Sequence, residues 1–264
     1  MKSVRRLGIG LSVIAVCLGA VFAAQAHDIP SVNNNEIKNI VLVHGLYADA
    51  SSWSKVIPLL QAKGFKVTAV QNPTTSLDAD VDAVERTLAL QDGPTLLVGH
   101  SYAGMVISQA GDDPRVKGLV YIAARAPDAG EDYQALTQRF APAPAAKGLR
   151  WSADGYGMLS ERSFVQDFAG DLPQQEAKVL FAVQQPFGKA ITTAKTTVAA
   201  WHDKPTWYAV STEDRTINPQ LQRFMAQRMN AHMIDVRASH VSLLSQPRTI
   251  ADLIIEASHT ADAR

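Results

Sequence analysis

From about Lys38 onward, short apolar runs alternate with segments whose apolar residues recur at helical spacing, and this alternation restricts the chain to a few architectures. Ile40-Val41-Leu42-Val43 is apolar without a break, so a strand here must be covered on both faces. Trp53, Val56, Ile57 and Leu60 follow at helical spacing, with Pro58 set to bend or shorten the start and Gly64 to cap the end. Phe65 to Val70 alternates as a strand and stops at Asn72-Pro73, and Leu77, Val81, Val84 and Leu88 then mark one helix face. Further strands are expected at Thr95 to Ser101, Val116 to Ala123, Thr206 to Val210 and Met233 to Val236. Helices are expected around Leu221, Phe224 and Met225 and around Ile250, Leu253 and Ile254, with Pro247 in the first turn of the last. The expected fold is α/β, a mostly parallel sheet with helices on both faces. A chain of 264 residues with 47% hydrophobic and 19% charged residues can fill the core of one such domain.

The alternation fails between about 125 and 204. This stretch carries Ala-Pro-Ala-Pro at 141 to 144, scattered aromatic residues and helical patches such as Ala177 to Gln184. It is too long for a plain loop, so a helical cap over the carboxyl edge of the sheet is expected. Trp151, Tyr156, Phe164, Phe168, Phe181 and Phe187 are spaced irregularly, which favours core positions over a substrate pocket.

The first residues have a separate character. Lys2, Arg5 and Arg6 precede the apolar run Leu7 to Phe22, and Ala24-Gln25-Ala26 offers small residues to a signal peptidase. Residues 1–26 are therefore expected to be a signal peptide cleaved before His27, leaving a 27–264 domain and no stable membrane anchor. Export to the periplasm or the medium follows as an expectation. The single cysteine, Cys17, lies in that leader, so the mature chain has no thiol for a disulfide, a nucleophile or a metal. Lys and Arg balance Asp and Glu at 25 each, and loss of the three basic leader residues leaves about −3. Such a surface offers no basic field for nucleic acid.

In an open α/β sheet ligands gather at the carboxyl ends of the strands. Four such ends carry chemistry. Thr95-Leu-Leu-Val-Gly-His-Ser101-Tyr-Ala-Gly104 runs from apolar strand into a turn of small residues, where a serine would be presented at a helix N-terminus. The pattern Gly-x-Ser-x-Gly is imperfect, because Ala103 stands where glycine is expected and Gly104 comes one residue later. His44-Gly45-Leu46 follows the first strand, and Gly45 lets the chain turn so that the Leu46 N–H aims at a developing oxyanion; Tyr102 supplies a second N–H. Glu213-Asp214 and Ser239-His240 follow the last two strands. Serine needs a base, and the base needs an acid to fix its tautomer. Ser101, His240 and Asp214 fill those roles in the chain order this architecture imposes, with Glu213 a rival acid and six other histidines as rival bases.

Val41-Leu-Val-His-Gly45, Gly99-His-Ser-Tyr-Ala-Gly104, Thr212-Glu-Asp-Arg-Thr-Ile217 and Ser239-His-Val241 resemble four blocks of the α/β-hydrolase superfamily. The last two, with Ala50-Ser-Ser-Trp53, look most like its small serine-esterase branch, which includes methyl esterases and hydroxynitrile lyases. The resemblance implies a bacterial exported serine hydrolase of small carboxylic esters, with Ser101 as nucleophile, Asp214 as acid, His240 as base, and Leu46 and Tyr102 as oxyanion donors. It implies no cofactor and no metal. Dehalogenases and epoxide hydrolases of this fold carry aspartate where Ser101 stands. The lyases place lysine directly after the histidine, where this chain has Val241. The alternatives that remain are a ligand-binding protein with a triad but little turnover, and lyase or perhydrolase activity on the same residues. A histidine base must be neutral, so activity is expected to fall below about pH 6.5.

Overall fold

The computed structural model describes residues 36–261. The leader, Cys17 and the expected cleavage site before His27 lie outside the described residues. The strands are β1 (Asn39–Val43), β2 (Lys66–Val70), β3 (Thr95–His100), β4 (Val116–Ile122), β5 (Leu149–Trp151), β6 (Tyr156–Leu159), β7 (Phe187–Gly188), β8 (Thr206–Ser211) and β9 (His232–Val236). Six of them form one parallel sheet in the order β2-β1-β3-β4-β8-β9.

Alternating side chains of the central strands feed two separate cores. Val41, Val43, Leu97, Tyr121, Tyr208 and Val210 face the helices Leu77–Ala89, Ala103–Ala110 and Pro219–Arg228. Ile40, Leu42, Leu96, Val98, Val120, Ile122 and Trp207 face Trp53, Leu60 and the helix Pro247–Ala261. Each such side chain contributes about 1.5–3 kcal/mol on full burial, which is why β1 and β3 tolerate no polar break. β2 lies at the sheet edge, and its burial alternates as its sequence does. The expected helix near Trp53 is two pieces, a 3-10 turn at Ala50–Trp53 and a helix at Ile57–Gln61. Pro58 falls in the first turn of the second piece, where its missing N–H costs nothing.

Between β4 and β8 the structure departs from an all-helical cap. Helices at Tyr133–Thr137 and Gln174–Ala182 are accompanied by a three-stranded antiparallel sheet, β5-β6-β7, whose last strand follows the second helix. β5 and β6 pair Leu149 with Leu159 and Trp151 with Gly157 across a turn that ends at Gly155, whose φ of +86° suits glycine. Strands of three and four residues are too short to show a period in the sequence.

Candidate active site

Ser101 follows β3 directly and adopts φ +58°, a left-handed conformation that L-residues avoid. Its neighbours hold it there. The Ser101 N–H donates to Ile122 O at 3.1 Å, while its carbonyl accepts from Gly104 N at 3.1 Å and from Arg125 N at 2.9 Å. Small residues are required by direct approach. A Cβ on Gly99 would lie 2.8 Å from Ala103 O, and one on Gly104 would lie 2.0 Å from Arg125 O. The helix Ala103–Ala110 starts at the next turn, with Ala103 wholly buried as its first residue. The position that must be glycine is thus 104, because β4's continuation passes there, and Ala103 fits.

His240 Nδ1 lies 2.7 Å from Asp214 Oδ2, and its Nε2 lies 2.7 Å from Ser101 Oγ. The carboxylate can only accept, so Nδ1 carries the proton and Nε2 presents its lone pair to the serine hydroxyl. Asp214 is itself fixed by three further bonds. Its Oδ1 accepts from Thr216 N at 2.7 Å and Ile217 N at 2.9 Å, and its Oδ2 accepts from Gln222 Nε2 at 2.7 Å. Both His240 and Asp214 side chains are fully buried in this pair. Glu213, the rival acid, instead points outward to an exposed Arg237 at 2.7 Å.

The other strand-end histidines are occupied elsewhere. His100 Nε2 donates to His240 O at 2.9 Å, and burial, followed by the neighbouring His240, holds its pKa well below the usual imidazole range. His44 Nδ1 donates to Gly45 O at 2.9 Å and is likewise lowered, chiefly by burial. Both rings are neutral spacers of fixed tautomer. Phe168 packs on His240 with centroids 5.1 Å apart, excluding water from one side of that ring.

The loop after β1 presses against the serine. A Cβ on Gly45 would lie 2.6 Å from Ser101 Cβ and 3.2 Å from Oγ, so a larger residue would push the loop away. Leu46 follows, then Tyr47 at φ +65°, wedged between Phe168 and Phe187. Among the described residues, no carbonyl or side chain accepts the Leu46 or Tyr102 N–H. Ser101 opens into a cavity of about 470 Å³ whose walls include Leu46, Tyr133, Phe140, Ile191 and Leu221. Of the six aromatic residues singled out in the cap, Phe187 alone lines it; Phe164 and Phe168 are core, and Trp151 and Tyr156 are exposed. Among the described residues no group of His, Cys, Asp or Glu side chains is placed to cage a metal.

Three contributors were not identified from sequence. Gln222 is a polar residue on the apolar face of its helix, a signal that it serves a buried group. Arg125 stands just past β4, at the sheet edge where ligands gather. Asp171 accepts the Ser239 N–H at 3.0 Å and the Ser239 hydroxyl, a pairing that only the tertiary structure creates.

The model of the alpha/beta hydrolase family matches residues 40–253, from within β1 to within the last helix, and so spans every element described above. The chain belongs to the alpha/beta hydrolase family. Curated relatives of this hydrolase include Methylesterase 8 of Arabidopsis thaliana, 24% identical, covering 83% of this chain and 88% of that protein. Salicylic acid-binding protein 2 of Nicotiana tabacum is 26% identical, covering 85% and 98%. The crystal structure of polyneuridine aldehyde esterase superposes with a TM-score of 0.74 at 20% identity, covering 84% of this chain and all of that one. The hydrolase thus shares its fold with named esterases at low identity.

Proposed function

We propose that this hydrolase is a serine esterase that cleaves small carboxylic esters through an acyl-enzyme. The reading rests on one observation, the continuous relay from Asp214 through His240 to Ser101 with both contacts at 2.7 Å. His240 Nε2 takes the Ser101 proton as Oγ attacks the acyl carbon, and the Asp214 carboxylate stabilises the imidazolium that forms. The Leu46 and Tyr102 N–H groups hold the oxyanion, each contributing about 3 kcal/mol to the barrier reduction. The imidazolium then protonates the departing alkoxide, and water, deprotonated by His240, releases the acid. The 125–204 segment acts as the cap that walls the acyl cavity. We further propose that residues 1–26 are removed on export, so that the enzyme works in the periplasm or outside the cell.

A fluorophosphonate probe tests the mechanism. Rapid labelling of the wild type and none of Ser101→Ala is expected, with kcat on p-nitrophenyl esters falling at least about 10⁴-fold in the variant. A folded wild type that resists the probe would overturn the assignment. The mass of the protein recovered from the periplasm tests export, with His27 as the expected first residue.

A further inference from the structure

Arg125 has no assigned role, yet it is the only ionised side chain among the described residues lining the Ser101 cavity. Its backbone is fixed as firmly as that of the serine. Ala123, two residues earlier, adopts φ +44°. The Tyr208 hydroxyl accepts from Ala124 N at 3.0 Å and donates to Ala124 O. Arg125 N is bonded to Ser101 O at 2.9 Å, and Ala126 N meets the Met225 sulfur at 3.2 Å. The guanidinium therefore springs from a rigid support in direct contact with the nucleophile.

The side chain is half-buried and lies between two tyrosine rings, 4.8 Å from the centroid of Tyr133 and 5.7 Å from that of Tyr102. Stacking of this kind orients an arginine but leaves its N–H fork without acceptors. Among the described residues no carboxylate pairs with it, and its Nε is buried without a hydrogen-bond partner. Arg228 also has an unpartnered Nε, but its terminal nitrogens take Glu131 at 2.9 Å and the Ala126 carbonyl at 2.7 Å, and it is at those nitrogens that Arg125 differs. An unpaired cation facing a largely apolar cavity costs desolvation energy unless something of opposite charge completes it. A carboxylate fits the fork with two parallel bonds.

We infer that Arg125 is a specificity-determining residue that binds a free carboxylate of the substrate, so that the preferred esters are half-esters of dicarboxylic acids. This inference rests on the esterase reading for its chemistry, but not for its test. The ester carbonyl would sit at Ser101 while the second carboxylate reaches the Arg125 fork across the apolar floor of the cavity. Neutral esters of the same length would leave the arginine unpaired and bind less well.

Calorimetry on the inert Ser101→Ala protein tests the inference without turnover, using monomethyl and dimethyl esters of succinic, glutaric and adipic acids. At least one monoester is expected to bind about tenfold tighter than its neutral diester. Arg125→Met, which keeps an apolar stem against the tyrosines, should abolish that preference, and Arg125→Lys should restore part of it. Equal binding of monoester and diester, a preference that survives in Arg125→Met, or no detectable binding of any monoester would overturn the inference. Fluorophosphonate labelling of Ser101 is read separately, so loss of the esterase assignment and loss of the carboxylate site give different results.

Discussion

At the scale of single residues, the site is governed by which positions abut backbone. Gly104 is required because its missing Cβ leaves room for Arg125 O, which a methyl group would approach to 2.0 Å. Gly104→Ala should cost about 1–3 kcal/mol by thermal denaturation and lower kcat, since the Arg125–Ser101 bond must stretch to admit it. Ala103→Gly reverses the logic. It restores the familiar spacing but removes a buried methyl from the first residue of a helix, and about 0.5–1 kcal/mol of stability should be lost. The two adjacent acids separate just as cleanly. Asp214→Asn leaves the shape intact but offers His240 Nδ1 an ambiguous partner, and kcat should fall about 10⁴-fold. Glu213→Gln removes only an exposed ion pair with Arg237, and kcat should stay within about twofold.

At the scale of elements, the segment between β4 and β8 does more than cover the cavity. Asp171, which follows its Phe164–Phe168 turn, holds the backbone and hydroxyl of Ser239, the residue before His240. Asp167 in that same turn pairs with Arg215 at 2.7 Å, beside Asp214. The cap thereby anchors the histidine loop and the aspartate loop from outside the sheet. Asp171→Ala should lower kcat about tenfold with KM little changed, because the His240 loop loses its anchor while the cavity keeps its walls. A loss of KM alone would assign Asp171 to substrate binding instead. On the far side, Gly188 N donates to Thr74 O at 2.8 Å and the Thr74 hydroxyl to Pro186 O at 3.0 Å, so β7 is tied to the loop after β2.

At the scale of the whole molecule, one buried charge is left at a disadvantage. Asp80 is wholly buried in the helix Leu77–Ala89, and burial pushes its carboxyl from the ordinary 3.8 up to about 6, against the opposing bond from Thr74 N at 2.7 Å. Below pH 3.8 the group is protonated both folded and unfolded, and its ionisation costs nothing. Between 3.8 and about 6 the unfolded chain releases a proton that the folded chain retains, so stability falls as pH rises. Above about 6 the cost is complete, at about 3 kcal/mol. Asp80→Asn keeps the acceptor for Thr74 and removes the charge. Its melting temperature should exceed that of wild type at pH 8 and match it near pH 4; an equal difference at both values would place the effect elsewhere.

The amino-acid sequence by itself determined the layered sheet, because residues such as Ile40 to Val43 are apolar on both alternations and can be satisfied only between two helix layers. It also put Ser101, Asp214 and His240 at strand ends, since those positions are read from where each apolar run stops. Their order along the chain was legible; their contact was not. Distances of 2.7 Å between residues 26 and 139 positions apart depend on strand order, and β4 must pair β8 before Asp214 can lie near Ser101. The short pairing of β5 with β6, the Asp171 anchor and the open fork of Arg125 belong to the same class. Each arises where segments remote in sequence meet, and no local periodicity records such a meeting. Tertiary packing alone decided which carboxylate faces His240, which glycine the elbow needs and which cation was left without a partner.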